Sequence, residues 1–372
     1  MKKHYLFGLV LLLTVFTVFL SCGSDDGSDY TDPTPIDTIP AGPQSPVVMD
    51  LTTVPYPKLS DYKFFEGDLK NLLPVYGVLP YNLNSSLFTD YALKKRFVWM
   101  PAGKKATYAG DGTVLDFPVG AALIKTFYYN TVVPDNSTVI IETRIMIKKE
   151  NGWIFADYLW NEAQTEATLS TAGLTTRISW IENGTIKITD YVVPMTSMCI
   201  KCHELSEAPV AIGPKPQNLN RMYTYSDGTK NQLAKWIEFG YLDAAPQTIA
   251  STVDWTDTTQ PLDLRVRSYL DINCAHCHTD NTDCGYTPMN LAFNKSGLTP
   301  GNLGICREPV DFVTGDQQYI VVGQNPEGSL LHFRMNTGIQ SEMMPTLGRK
   351  LVHEEAVAMI EQWINSLENT CP

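Results

Sequence analysis

Val139-Ile-Ile-Glu-Thr-Arg-Ile-Met-Ile147, then Asn151-Gly152, then Trp153-Ile-Phe-Ala-Asp-Tyr158: this stretch decides how the first half of the chain folds. Its first run is β-branched and alternates in its second half, as a strand with one buried face does. Asn-Gly tolerates positive φ at both positions of a tight turn and is the strongest short hairpin signal. The device recurs outward from here. Asn183-Gly184 separates Thr176–Ile181 from Thr185–Tyr191, and Gly110-Asp111-Gly112 separates Lys105–Ala109 from Thr113–Phe117. Residues 51–192 therefore read as an all-β domain of sandwich or barrel type. It holds no cysteine and no histidine, so its aromatic residues read as core and rim.

The second half carries different chemistry. Cys199-Ile-Lys-Cys-His203 and Cys274-Ala-His-Cys-His278 are two C-x-x-C-H motifs. With 8 Cys and 6 His in 372 residues, chance predicts about 0.003 such motifs. The motif reads as covalent attachment of haem c. Two cysteines bond the porphyrin's vinyl groups, and the adjacent histidine is carried under the iron. Cys199 and Cys202 then hold one haem with His203 as proximal ligand. Cys274 and Cys277 hold a second, with His278. The alternatives are a zinc site or redox disulfides.

The flanking sequence agrees with haem. Leu264–Ile272 is helical in pattern and runs into the second motif, as an N-terminal helix does in cytochrome c domains. Near the C-terminus, Ala356, Ile360, Trp363, Ile364 and Leu367 recur at helical spacing, resembling the helix that crosses it. Asn231–Ile237 is a shorter echo behind the first motif. Residues 193–250 are thus expected to be an abbreviated haem module and 251–372 a second cytochrome c-like module. Met344, before Pro345, is the expected distal ligand of the second haem, with Met343 as the alternative. Met222 is the choice for the first haem, ahead of Met195 and Met198; an open sixth position is the competing state. His276 reads as surface or propionate-facing, and His332 and His353 are minor distal candidates.

Residues 1–21 read as a lipoprotein signal peptide. Lys2 and Lys3 precede an apolar run from Tyr5 to Leu20, and Leu20-Ser21-Cys22 offers Cys22 for lipid. Residues 22–50, with five prolines, read as a disordered tether. Of the eight cysteines, Cys284, Cys306 and Cys371 remain. An exported protein should pair two of them; Cys284–Cys306 is expected and Cys306–Cys371 competes. The formal charge is −12, and −14 once residues 1–21 and their two lysines are removed. That balance argues against nucleic acid as a partner.

Several landmarks together resemble a family of exported di-haem c-type cytochromes of unassigned function, often encoded beside parallel β-helix proteins. They are Val75–Asn82, Leu87–Tyr91, Gly152–Asn161, the CIKCH motif, Ile212–Lys215, Leu219-Asn220, the NCAHCH motif, Leu303–Cys306 and Met343–Arg349. The resemblance implies two covalent haems and electron transfer, and it names no substrate. The expected architecture is multidomain β plus α. The expected function is a carrier of single electrons between exported redox partners, with a β-helix protein as one candidate partner. It would be anchored in the outer membrane by lipid and face the periplasm or the cell surface. Two alternatives stand beside it: a di-haem peroxidase-like oxidoreductase with an open first haem, and a non-redox binding protein with accessory haems.

Overall fold

The centre of the chain is one antiparallel sheet of eight strands, seen in a computed structural model that describes residues 43–311, 317–368 and 371–372. The signal peptide, Cys22 and residues 22–42 of the expected tether lie outside the described residues. Residues 43–50, read as tether, are instead part of the folded body. Trp99 Nε1 donates to Ser45 Oγ at 3.0 Å, and Val48 N–H donates to the Tyr62 carbonyl at 3.0 Å. Val47, Met49 and Leu51 pack against the sheet core, which outweighs the extended bias of the prolines.

The strands are β1 (Leu79–Tyr81), β2 (Leu93–Trp99), β3 (Ala122–Val132), β4 (Ser137–Lys149), β5 (Gly152–Trp160), β6 (Ala167–Ser170), β7 (Leu174–Glu182) and β8 (Thr185–Val193). β1 to β6 pair in succession, and the β7–β8 hairpin joins the far end of β3 through Val132 and Trp180. Asn183 and Gly184 form the expected two-residue turn, with φ of 50° and 78°. At the other Asn-Gly the turn shifts by one. Lys149 pairs with Gly152, so Glu150-Asn151 is the loop and Gly152 opens β5. The Gly110–Gly112 hairpin does not form. Only Thr107 and Asp116 bridge there, because Asp111 is drawn off to accept from Tyr108 Oη at 2.7 Å and from Ala250 N–H at 2.8 Å.

The sheet is open, neither sandwich nor barrel: among the described residues the other sheets have only two strands each. One face (Ala122, Ile124, Ile145, Ile147, Tyr158) packs on Leu59, Tyr62 and Phe64 from the N-terminal segment. The other face (Val98, Leu123, Met146, Trp153) packs on Leu219, Leu233, Trp236 and Ile272 from the second half. That half contributes α1 (Gln232–Phe239), α2 (Leu262–Asn273), α3 (Leu330–Asn336) and α4 (Glu354–Ser366). The Asn231 side chain caps α1, accepting from Leu233 and Ala234 N–H groups. Val266, Tyr269 and Leu270 of α2 share a core with Ile360, Trp363 and Ile364 of α4. Among the described residues no helix is long and apolar enough to cross a membrane.

Polar clasps tie the second half together and join it to the first. The Asp271 carboxylate on α2 accepts from Lys215 Nζ (3.1 Å), Gln217 Nε2 (3.2 Å) and Phe293 N–H (3.0 Å). Asp90, from the loop before β2, accepts from the N–H groups of Lys350 (2.7 Å) and Leu351 (2.8 Å). The one disulfide among the described residues is Cys306–Cys371, so the expected Cys284–Cys306 pairing is wrong. The reason is local. The Val321 carbonyl accepts Cys306 N–H at 3.0 Å and lies 3.7 Å from Cys371 Sγ, holding both residues at one point. Cys284 is left as a free thiol.

Candidate functional site

The two C-x-x-C-H motifs adopt the same local turn. In the first, His203 N–H donates to the Cys199 carbonyl at 3.0 Å and Cys202 N–H to the same oxygen at 3.2 Å. In the second, His278 N–H donates to Cys274 at 2.9 Å and Cys277 N–H to it at 3.1 Å. In each motif the chain makes one turn from the first cysteine to the histidine. α2 runs directly into the second motif, with Cys274 at its C-cap. The first motif stands on a short 3₁₀ turn, Thr196–Lys201, reached straight from β8.

Each motif histidine is oriented through its inner nitrogen. His203 Nδ1 lies 2.9 Å from the Val210 carbonyl, and His278 Nδ1 lies 3.1 Å from Thr287 Oγ1. Such bonds fix the ring and leave Nε2 as the ligating atom. Burial holds His203 down to about 3, helped by the charges of Lys125 and Arg144. Burial and the neighbouring His276 hold His278 at about 4. Both rings are therefore neutral at pH 7, as metal ligation requires.

The motifs, 75 residues apart by Cys199 and Cys274, meet in space. One ligand atom each from Cys202, His276 and Cys277 lies within 4.8 Å of the others. Cys277 Sγ is 3.8 Å from the Lys201 carbonyl. Cys202 is pulled down to about 5, chiefly by its hydrogen bond with Cys277, whose own thiol is pushed up. A cavity of about 290 Å³ opens at this junction, lined by Cys202, Cys274, Cys277, His278, Met335 and Met344 among others.

Met344 therefore faces the same cavity as His278. Met343 does not: it is 1% exposed, and Gln340 Nε2 donates to its sulfur at 3.5 Å. Met222 is not brought to the first motif. It opens a small hairpin on Asn231 and is 58% exposed, because the strand pairing there turns it outward. His353 lines the cavity, but it is stacked 4.0 Å from Phe88 and its Nδ1 lies 3.0 Å from Tyr269 Oη. His332 is buried with Nε2 unpartnered. His276 is half-buried at the contact between the motifs, and its Nδ1 is buried without a partner.

Some of the site escaped the sequence. Arg349 donates to the carbonyls of Met344 (3.0 Å), Leu351 (3.1 Å) and Arg334 (2.9 Å), fixing the methionine loop. Its position three residues past Met-Met-Pro-Thr was the one available signal. Glu142, Arg144 and Asp157, on the sheet face near the first motif, carried none. Arg144 grips Glu142 at 2.6 and 2.8 Å, Tyr191 Oη donates to Glu142 at 2.6 Å, and Asp157 lies 3.7 Å from Arg144. No family model matches the chain, and no curated protein or solved structure matches it either.

Proposed function

We propose that this chain is a di-haem c-type cytochrome that carries single electrons, with residues 193–250 and 251–372 as its two cytochrome c-like modules. The observation that carries the reading is the shared geometry of the motifs. Each motif carries two cysteines and a neutral histidine on one turn of chain, with the histidine's Nδ1 engaged. Residues Cys199, Cys202 and His203 would hold one haem, and Cys274, Cys277 and His278 the other. When bound, the group supplies a one-electron iron couple.

The chain's own residues have separable roles. Val210 and Thr287 orient the proximal rings. Arg349 and Asp90 position the loop that presents Met344 to the cavity, which supports Met344 over Met343 as the distal ligand. The cavity wall is mostly apolar, which would favour the less charged, reduced state. The sheet serves as the platform for the first motif, with Phe155 5.3 Å from the His203 ring. The N-terminal features support export and a lipid anchor at Cys22, with the body on the periplasmic or surface side. The acidic net charge favours partners with basic patches.

A second reading has its own observation. Cys202, His276 and Cys277 are close enough to share one metal ion, and three such ligands suit zinc. One experiment separates the two. The full chain, made in a host that attaches haem c, is denatured and its covalent haem counted. Redox titration and carbon monoxide binding follow on the same sample. Two haems inert to carbon monoxide are expected for a carrier. A reactive haem would favour the peroxidase-like alternative. No covalent haem, with one zinc per chain, would replace this reading by the metal centre.

A further inference from the structure

The sheet face that turns toward the first motif carries more positive charge than the roles above use. Strand register sets Arg96 opposite Lys125, Lys125 opposite Arg144, and Arg144 opposite Asp157. Directly opposed residues share a face, so three cations stand side by side across β2, β3 and β4. Two residues along, Lys94 is opposite Phe127 and Phe127 opposite Glu142, on that same face. Lys125 Nζ, Arg144 Cζ and Lys94 Nζ lie 4.7, 4.6 and 5.8 Å from the Phe127 ring centre. Three cations thus converge on one ring.

Like charges placed directly opposite one another oppose sheet pairing, and an enclosed cation needs a counter-charge. The acids present do not supply enough. Glu142 is taken by Arg144, and Asp157 also stands nearest Arg144. Among the described residues, Lys94 Nζ donates to the Ala92 carbonyl at 2.6 Å and to no carboxylate. Arg96 is 5% exposed, gives Nη1 to Asn82 at 3.0 Å, and leaves Nη2 buried without a partner. Burial, with the charges of Arg96, Lys94 and Arg144, holds the Lys125 amine well below its ordinary range. The row abuts the first motif: Phe155, two residues before Asp157 on the same face, touches the His203 ring.

We propose that Arg96, Lys125 and Arg144 form a receptor for a carboxylate or small oxyanion beside the first C-x-x-C-H motif. The anion has two possible sources, the carboxylates of a haem held at Cys199 and Cys202, or a diffusible anion. The first source rests on the haem reading above; the cation row itself does not.

The test compares the full chain with Lys125→Gln, charge-retaining Lys125→Arg, and exposed Lys104→Gln as control. Haem count, redox titration, and thermal midpoint with malonate or inorganic phosphate at matched ionic strength are measured for each. If haem supplies the carboxylate, Lys125→Gln lowers the reduced-to-oxidised ratio of one haem about tenfold at fixed poise, which is about 59 mV for one electron. Neither anion then shifts the midpoint. If the anion is diffusible, malonate or phosphate raises the midpoint saturably in the wild type and in Lys125→Arg, and the rise is lost in Lys125→Gln. Potentials and anion responses that match across all four proteins would overturn the receptor. Should no haem be attached, the haem reading fails and the anion response alone decides, a Lys125-dependent rise supporting the receptor and its absence overturning it. If Lys125→Gln fails to fold, the wild-type anion titration and an Arg96→Gln variant take its place with the same criteria.

Discussion

Met343 and Met344 are neighbours in sequence with opposite surroundings, and a single substitution at each separates ligand from core. Met344→Ala should lower the potential of one haem and abolish its sulfur-to-iron absorption band, with little loss of fold. Met343→Ala should leave the spectrum intact and cost about 2–5 kcal/mol, as truncation of a buried methionine does; urea unfolding followed by absorption reads both. Asp157 gives a second residue-level outcome. Burial, then the Glu142 charge, pushes its carboxyl up to about 9 from an ordinary 3.8. The folded state then holds a proton that the unfolded chain releases, so this group's contribution to stability falls as pH rises from about 4 to about 9. Asp157→Asn should flatten that fall, and unfolding midpoints with unchanged pH dependence would remove Asp157 as its source. At this scale the two C-x-x-C-H motifs were legible as sequence, and the turn that each makes follows from its spacing. Met344 was singled out by the proline that follows it, whereas the outward turn of Met222 and the place of His276 between the motifs depend on neighbours elsewhere in the chain, which no local pattern encodes.

Elements were legible where local chemistry is strong. Asn183-Gly184 makes its turn because both residues accept positive φ. α1, α2 and α4 begin and end near their expected limits because apolar periodicity and the Asn231 cap act locally. The Gly110–Gly112 hairpin failed because Asp111 found partners more than a hundred residues away. Tertiary bonds also decide how α2 sits. Asp271 is 3% exposed and receives one ammonium, side-chain amides and a backbone N–H. Asp271→Ala leaves Lys215 facing that seam without its carboxylate, and should cost about 3–5 kcal/mol. Chemical denaturation measures this directly; a loss under about 1 kcal/mol would show that the clasp adds little beyond packing.

For the whole molecule, the sequence-level division into β, haem and haem segments describes the order of the chain better than its packing. Residues 43–372 form one unit, because the sheet buries one face on the N-terminal segment and the other on the second half. The sandwich expectation failed for this reason: alternation reports that two faces differ, not what covers them. The chain's end is tied in as well. Cys306–Cys371 spans 65 residues, and loop closure of that length contributes up to about 4 kcal/mol. Cys371→Ser should lower the thermal midpoint and leave the haem count unchanged; a reduced count would mean that the bridge also shapes the second module. The contact between Cys202 and Cys277 has a consequence for biogenesis. In an oxidising compartment, a chain that closed before its cofactors were attached would present two thiols to each other at the junction, ready to lose two electrons and two protons and be joined. If these cysteines hold haem, attachment would have to come before closure, and haem-free protein recovered from the periplasm should carry a Cys202–Cys277 link detectable by non-reducing peptide mapping. On that reading the order of assembly would follow from which sulfurs the finished fold brings together.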